Sequence, residues 1–173
     1  MTGKYNSRFS LDTFKYCVEK SLHASSDGTT TDGRGVRMEY GRIPVTDGVW
    51  TWNGGYIFDI NAHVLLAARE YYLLSHDKAF LLDNFEYMKR ALAFYENLDD
   101  GQGLLVLPES YTGLENQGKS STYWDGWAIG CKYSLHQIYY LAATRVLKEF
   151  AWELGLFDDA TGFQRKLDQI SKR

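Results

Sequence analysis

Between Asn53 and Leu74, apolar side chains recur at three- and four-residue steps: Ile57, Ile60, Val64, Ala67 and Tyr71. This spacing lines them along one face of an α-helix, which completes a turn in 3.6 residues. Phe58, Ala62 and Leu65 form a second stripe beside the first, so the helix is expected to be buried on several sides. Ser75, His76 and Asp77 break the pattern, and Asp77 stands where an N-cap is needed. The period returns from Lys78 to Asn97. There Leu81, Phe85, Met88, Leu92 and Tyr95 share one face, while Asp83, Glu86, Lys89 and Arg90 fall elsewhere. That is the pattern of a surface helix with one buried side. A third long helix is predicted from Lys132 to Leu154, on a stripe of Leu135, Ile138, Ala142, Val146 and Phe150, with Gly155 as its stop. Shorter helices are predicted from Leu11 to Leu22 and from Ala160 to the end.

The two prolines, Pro44 and Pro108, fall outside all of these helices, as the missing amide of proline requires. His23 to Gly35 is rich in Gly, Ser and Thr and reads as a loop. Val36 to Gly48 is expected to pair briefly as a hairpin. A long connection covers residues 98–131, with Gly103 to Pro108 as a short extended piece. Connections of this length inside a domain usually carry function.

The helices repeat as pairs. Trp52-Asn53-Gly54 precedes one pair and Trp124-Asp125-Gly126 the next, 72 residues later (124 − 52). The expected fold class is all-α: one domain over 1–173, with helical hairpins at about 53–97 and 132–173. Such hairpins, repeated at this period, stack into an (α/α) toroid. In a toroid the first helix of each pair lies inside, and both Trp-Asn/Asp-Gly elements face one cavity. The competing reading is two unrelated loop-to-helix junctions, with packed tryptophans and capping Asn and Asp.

Composition narrows the function classes. The net charge is −3 and no basic run exists, which argues against binding nucleic acid by phosphate neutralisation. No apolar run reaches the roughly 20 residues of a membrane span. No signal-peptide pattern opens the chain, so a cytoplasmic location is expected. Two cysteines and four dispersed histidines suggest neither a disulfide framework nor a metal site, and no cofactor is expected. Aromatic residues reach 16%, with five Trp and thirteen Tyr, side chains that offer an apolar face and a polar tip.

Tryptophans around carboxylates suit a sugar, whose C–H face lies on an aromatic ring while its hydroxyls take hydrogen bonds. Cleaving a glycosidic bond requires an acid for the leaving oxygen and a second carboxylate as base or nucleophile. Asp125, Glu115 and Glu109 lie in one loop, and Asp59 is a fourth candidate about two turns into the inner helix. Trp50, Trp52, Tyr56, Tyr123, Trp124 and Trp127 are candidate platforms, with Asn53, Glu109 and Lys132 as polar contacts. Each has a plainer role available. Asp125 can cap a helix, Glu109 can be a solvated loop carboxylate, and Asp59 can be structural. Lys119 and Lys132 can be surface lysines. His63 and His136 read as hydrogen-bonded core residues rather than catalysts.

Three segments, from Val49 to Leu92, Asp100 to Glu109 and Ser121 to Gly155, together resemble the bacterial six-hairpin glycosidases. These are (α/α)6-barrel enzymes akin to trehalases, glucoamylases and processing α-glucosidases. The shared pattern is a Trp-rich start to an inner helix, a D-G-x-G-L turn after its partner, and Y-W-D before the next inner helix. The resemblance implies a glycoside hydrolase using carboxylate acid/base catalysis, with Asp125 first and Glu115 second as catalytic residues and a carbohydrate substrate. The chain departs from the family in two ways. Thr112 to Asp125 is only loosely similar to the family's acid-bearing turn. A six-hairpin barrel needs about 350 to 450 residues at this period, and two hairpins are evident here. A fragment, or a half-barrel that associates with another copy, is the expectation that follows. Two other readings stay open: a non-catalytic helical-repeat module that binds carbohydrate or protein, and an (α/α)-toroid polysaccharide lyase or sugar epimerase with His or Tyr as base.

Overall fold

The structure, a computed structural model, describes residues 10–29, 37–44, 59–106 and 134–172. It is all-α, with five helices among the described residues: α1 (Leu11–His23), α2 (Ile60–Ser75), α3 (Lys78–Glu96), α4 (Ser134–Leu154) and α5 (Phe157–Ile170). Among the described residues there is no strand, and none of the helices is long and apolar enough to cross a membrane. The expected hairpin falls partly on residues 37–44, which form no strand; the rest of it lies outside the described residues. Of the expected extended piece, residues 103–106 are described and contribute one antiparallel bridge, between Asp99 and Leu105; the rest lies outside the described residues.

Local chemistry sets the helix ends. Ser10 accepts a hydrogen bond from the Thr13 amide at 3.1 Å and caps α1. Asp77 does the same for α3, accepting from the Phe80 amide at 3.0 Å, and also holds Lys15 of α1 at 2.9 Å. His76 ends α2 at a left-handed φ of 52°, and the turn to α3 follows directly.

Contacts between helices fix their directions. Along α2 and α4, His63 meets Tyr139, Arg69 meets Glu149 at 2.6 Å and Tyr72 meets Phe150, so residue numbers rise together and the two helices run parallel. The same reasoning makes α3 and α5 parallel, since Lys89 reaches Asp159, and Lys166 reaches Asp99 just beyond the end of α3. Helix α1 shares that direction: Lys15 pairs with Asp77, and His23 with Asn84. Helices α2 and α4 therefore point one way and α1, α3 and α5 the other. The polypeptide is a stack of helical hairpins, the local arrangement of an (α/α) toroid.

Helix α2 packs against α1, α3 and α4, as its two apolar stripes predict. Helix α3 is more buried than its pattern suggests, because Phe80, Ala91 and Phe94 join the expected face. Asn61, fully buried in α2, anchors the loop before it. Its amide donates to the carbonyls of Gly41 and Ala91, each at 2.8 Å, and its oxygen accepts from the Ile43 amide at 3.0 Å. Gly41 has a φ of +81°, and a Cβ there would lie 2.1 Å from the Arg90 carbonyl oxygen. Only glycine lets this loop approach α3 so closely.

Candidate functional site

Because α2 and α4 run parallel, both begin at the same end of the stack. Asp59 is the N-cap residue of α2, with φ −85° and ψ −8°, yet its side chain makes no capping bond. Its Oδ2 instead accepts from His63 Nε2 at 3.1 Å, one helical turn along. The carboxylate is buried, with 6% of the side chain exposed, whereas 52% of the imidazole is exposed. The other oxygen, Oδ1, is also buried and has no hydrogen-bond partner among the described residues. The edge of Tyr139, from α4, meets the His63 ring at a centroid distance of 5.1 Å. Tyr95, from α3, accepts the Ala62 amide at 3.1 Å behind them. Burial, and after it the Asp59 charge, push the phenols of Tyr95 and Tyr139 above their ordinary range. Both remain neutral hydroxyls at physiological pH.

An ionised carboxylate only accepts hydrogen bonds, so in its ionised form Asp59 takes this bond from an Nε2–H. Among the described residues no hydrogen bond reaches Nδ1. The cluster consists of a buried carboxyl group, an imidazole held against it and exposed on one side, and an aromatic ring alongside.

The sequence placed most of its candidates elsewhere. Asp125, Glu115, Glu109, Trp50, Trp52, Asn53, Tyr56, Tyr123, Trp124, Trp127 and Lys132 all lie outside the described residues, as does Lys119. Asp59 sits at the boundary of α2, not two turns inside, because the helix begins at Ile60. His63 is no core residue. It starts one turn into α2, where its ring leaves the helix surface beside Asp59. His136 is buried as expected, with 1% exposure. The signal that could have found the pair is D-x-x-x-H, the spacing that places two side chains on one helix face.

Two other features are distinct from this cluster. Asp99, in the Asp99–Gly103 turn, accepts from the Gly101 and Gly103 amides at 2.7 and 2.9 Å, from the Tyr140 hydroxyl at 3.0 Å, and from Lys166 at 3.3 Å. Burial would raise its carboxyl, but these donors together hold it below the usual carboxylate range. Its acceptor positions are filled and its role is structural. A cavity of about 560 Å³ opens between α4 and α5, lined by Lys148, Trp152, Phe157, Thr161, Gln164 and Arg165. Trp152 lies 13 residues beyond Tyr139 (152 − 139), roughly 20 Å along α4, so the cavity is remote from the imidazole. No group of three or more His, Cys, Asp or Glu side chains among the described residues could hold a metal ion. No family model and no curated protein matches the chain.

Proposed function

We propose that the protein is a carbohydrate-processing domain that hydrolyses glycosidic bonds, with Asp125 and Glu115 as acid/base carboxylates. The tryptophans at 50, 52, 124 and 127 and the polar residues Asn53, Glu109 and Lys132 serve as sugar contacts, with Tyr56 and Tyr123 beside them. The observation that carries this reading is the parallel course of α2 and α4. The segments Trp52-Asn53-Gly54 and Trp124-Asp125-Gly126, 72 residues apart (124 − 52), lead into two helices that begin at the same end of the stack. Aromatic residues with Asn53 in one segment and Asp125 in the other, each preceding one of these two helices in the sequence, would meet the needs of sugar cleavage: a platform for the apolar face, acceptors for the hydroxyls and an acid for the leaving oxygen.

The test is turnover of a panel of aryl glycosides, with oligosaccharide binding measured in parallel by calorimetry. Asp125→Asn is expected to lower kcat by about 10²- to 10⁴-fold while binding persists, as for loss of a general acid. Glu115→Gln should follow the same pattern. Loss of binding without any wild-type turnover would favour a non-catalytic module. Turnover and binding that both ignore the two substitutions would refute the proposal.

A further inference from the structure

Helices α4 and α5 run antiparallel, and side chains meet in order across the cleft between them. At the turn end Trp152 meets Phe157, with ring centroids 4.9 Å apart and planes at 83°. Further from the turn, Lys148 Nζ donates to Gln164 Oε1 at 3.1 Å. Phe157, Thr161 and Arg165 stand at four-residue steps and share one face of α5, as Lys148 and Trp152 do on α4. The cavity of about 560 Å³ between these two rows therefore has a graded lining. It is aromatic near the turn, Thr161 follows, and the two cations stand beside Gln164 beyond it. Lys148 lies about 6 Å along α4 from Trp152, and Arg165 about 12 Å along α5 from Phe157. Ala160, 6% exposed, gives the cleft only a methyl group, which leaves its volume open.

Shape, exposure and charge each restrict what fits this cleft. Its volume lies within the range of small-molecule pockets. Trp152 and Phe157 are 61% and 58% exposed, an adjoining pair of large rings whose contact with water is unfavourable until something apolar covers them. The lining carries two cations and no carboxylate, and among the described residues neither Lys148 nor Arg165 pairs with an acid. Asp168, one turn past Gln164, accepts from the Gln164 amide at 2.8 Å. We infer that the α4–α5 cleft binds an amphipathic organic anion, with its ring or short chain against Trp152 and Phe157 and its carboxylate or phosphate toward Lys148 and Arg165. The guanidinium fork suits two oxygens of such a headgroup, and the lysine adds a compact charge from the opposite wall. The Thr161 hydroxyl and the Gln164 amide offer neutral hydrogen bonds between the two ends. This site is separate from the sugar contacts proposed above and does not depend on them.

The experiment uses the full chain, with 2-naphthoate and 2-naphthyl phosphate as probes and calorimetry as the readout; the tighter of the two names the headgroup. Naphthalene-2-carboxamide lacks the charge, and acetate and inorganic phosphate lack the ring. The better aryl anion is expected to bind at least about tenfold more tightly than any of these three. Lys148→Ala and Arg165→Ala should each weaken it about threefold to tenfold, and added salt should shrink those losses. Trp152→Ala should weaken it about tenfold. Thr161→Trp keeps both cations and the aromatic pair but fills the cleft, so it should abolish binding. All four positions are at or near the surface, and an unchanged urea midpoint verifies that each variant folds. Failure of both aryl anions to bind overturns the proposal, as does equal affinity for the carboxamide or binding that survives all four substitutions. A wild-type dimer that Trp152→Ala dissociates, seen by sedimentation, overturns it too, because a second copy would then cover the cleft. None of these outcomes depends on whether the chain turns over a glycoside.

Discussion

His136 and His63 lie near the starts of α4 and α2, and their surroundings give them opposite characters. His136 is 1% exposed, and burial holds its imidazole down to about 4. In the unfolded chain the same ring takes up a proton near pH 6.5. Between these values the unfolded state binds more protons, so stability falls as the pH falls. The contribution is complete above about 6.5 and is lost progressively down to about 4, at up to roughly 1.4 kcal/mol per unit. Urea unfolding at pH 7, 5.5 and 4 should therefore show a loss of roughly 2–3 kcal/mol from this residue. His136→Gln should flatten the dependence, and an equally steep curve in that variant would assign it to other groups. Sequence could not separate the two histidines. Both stand among apolar neighbours on long helices, and what distinguishes them is the partner: a carboxylate one turn away for His63, closed packing for His136.

Asp99 carries the element scale, because one side chain joins the end of α3 to α4 and α5. Two glycine amides, a tyrosine hydroxyl and a lysine ammonium all converge on it, with 2% of the side chain exposed. Asp99→Ala leaves the Lys166 charge and the Tyr140 hydroxyl without this acceptor. A destabilisation of about 3–5 kcal/mol is expected, as when one partner of a buried ion pair is removed. Amide exchange in α5 from Leu167 to Ile170 should accelerate beyond the global change, since Gly103 lies against the backbone of Gln169 and Ile170. Uniform acceleration across all helices would argue that Asp99 does not act through that joint. At this scale the sequence was informative. The apolar period located α2, α3 and α4, and the Asp77 cap and the start of α3 at Lys78 were legible from local chemistry. The face of α4 was legible in part. Val146 and Phe150 of the expected stripe are buried, but Ile138 is 57% exposed, because steps of four advance about 40° past a full turn and a line through Val146 and Phe150 leaves the core towards the start of the helix. The buried face runs through Tyr140, Ala143, Val146, Leu147, Phe150 and Ala151.

For the whole molecule, alternating helix directions build one continuous core rather than two. Val18 and Leu22 of α1, the buried faces of α2, α3 and α4, and Ala160 and Ile170 of α5 belong to a single cluster. Stacked hairpins stabilise one another only through the interface between neighbours, so the α2–α4 seam decides whether the chain unfolds as a unit. Phe150, 1% exposed, stands in that seam against Tyr72, with ring centroids 5.7 Å apart. Its replacement by alanine should cost about 3–5 kcal/mol, the range for truncating a buried phenylalanine. The loss falls on the contact between hairpins more than within either. Wild-type amides in α3 and α4 are therefore expected to lose protection together as urea rises. In Phe150→Ala, α4 and α5 should open at lower urea than α2 and α3, which keep their packing on α1. Hydrogen exchange followed by mass spectrometry resolves these helices. Simultaneous opening in the variant would mean that cohesion comes from the Asp99 joint and the α3–α4 packing instead, and that the seam beneath the Asp59–His63 cluster is not what couples the two hairpins.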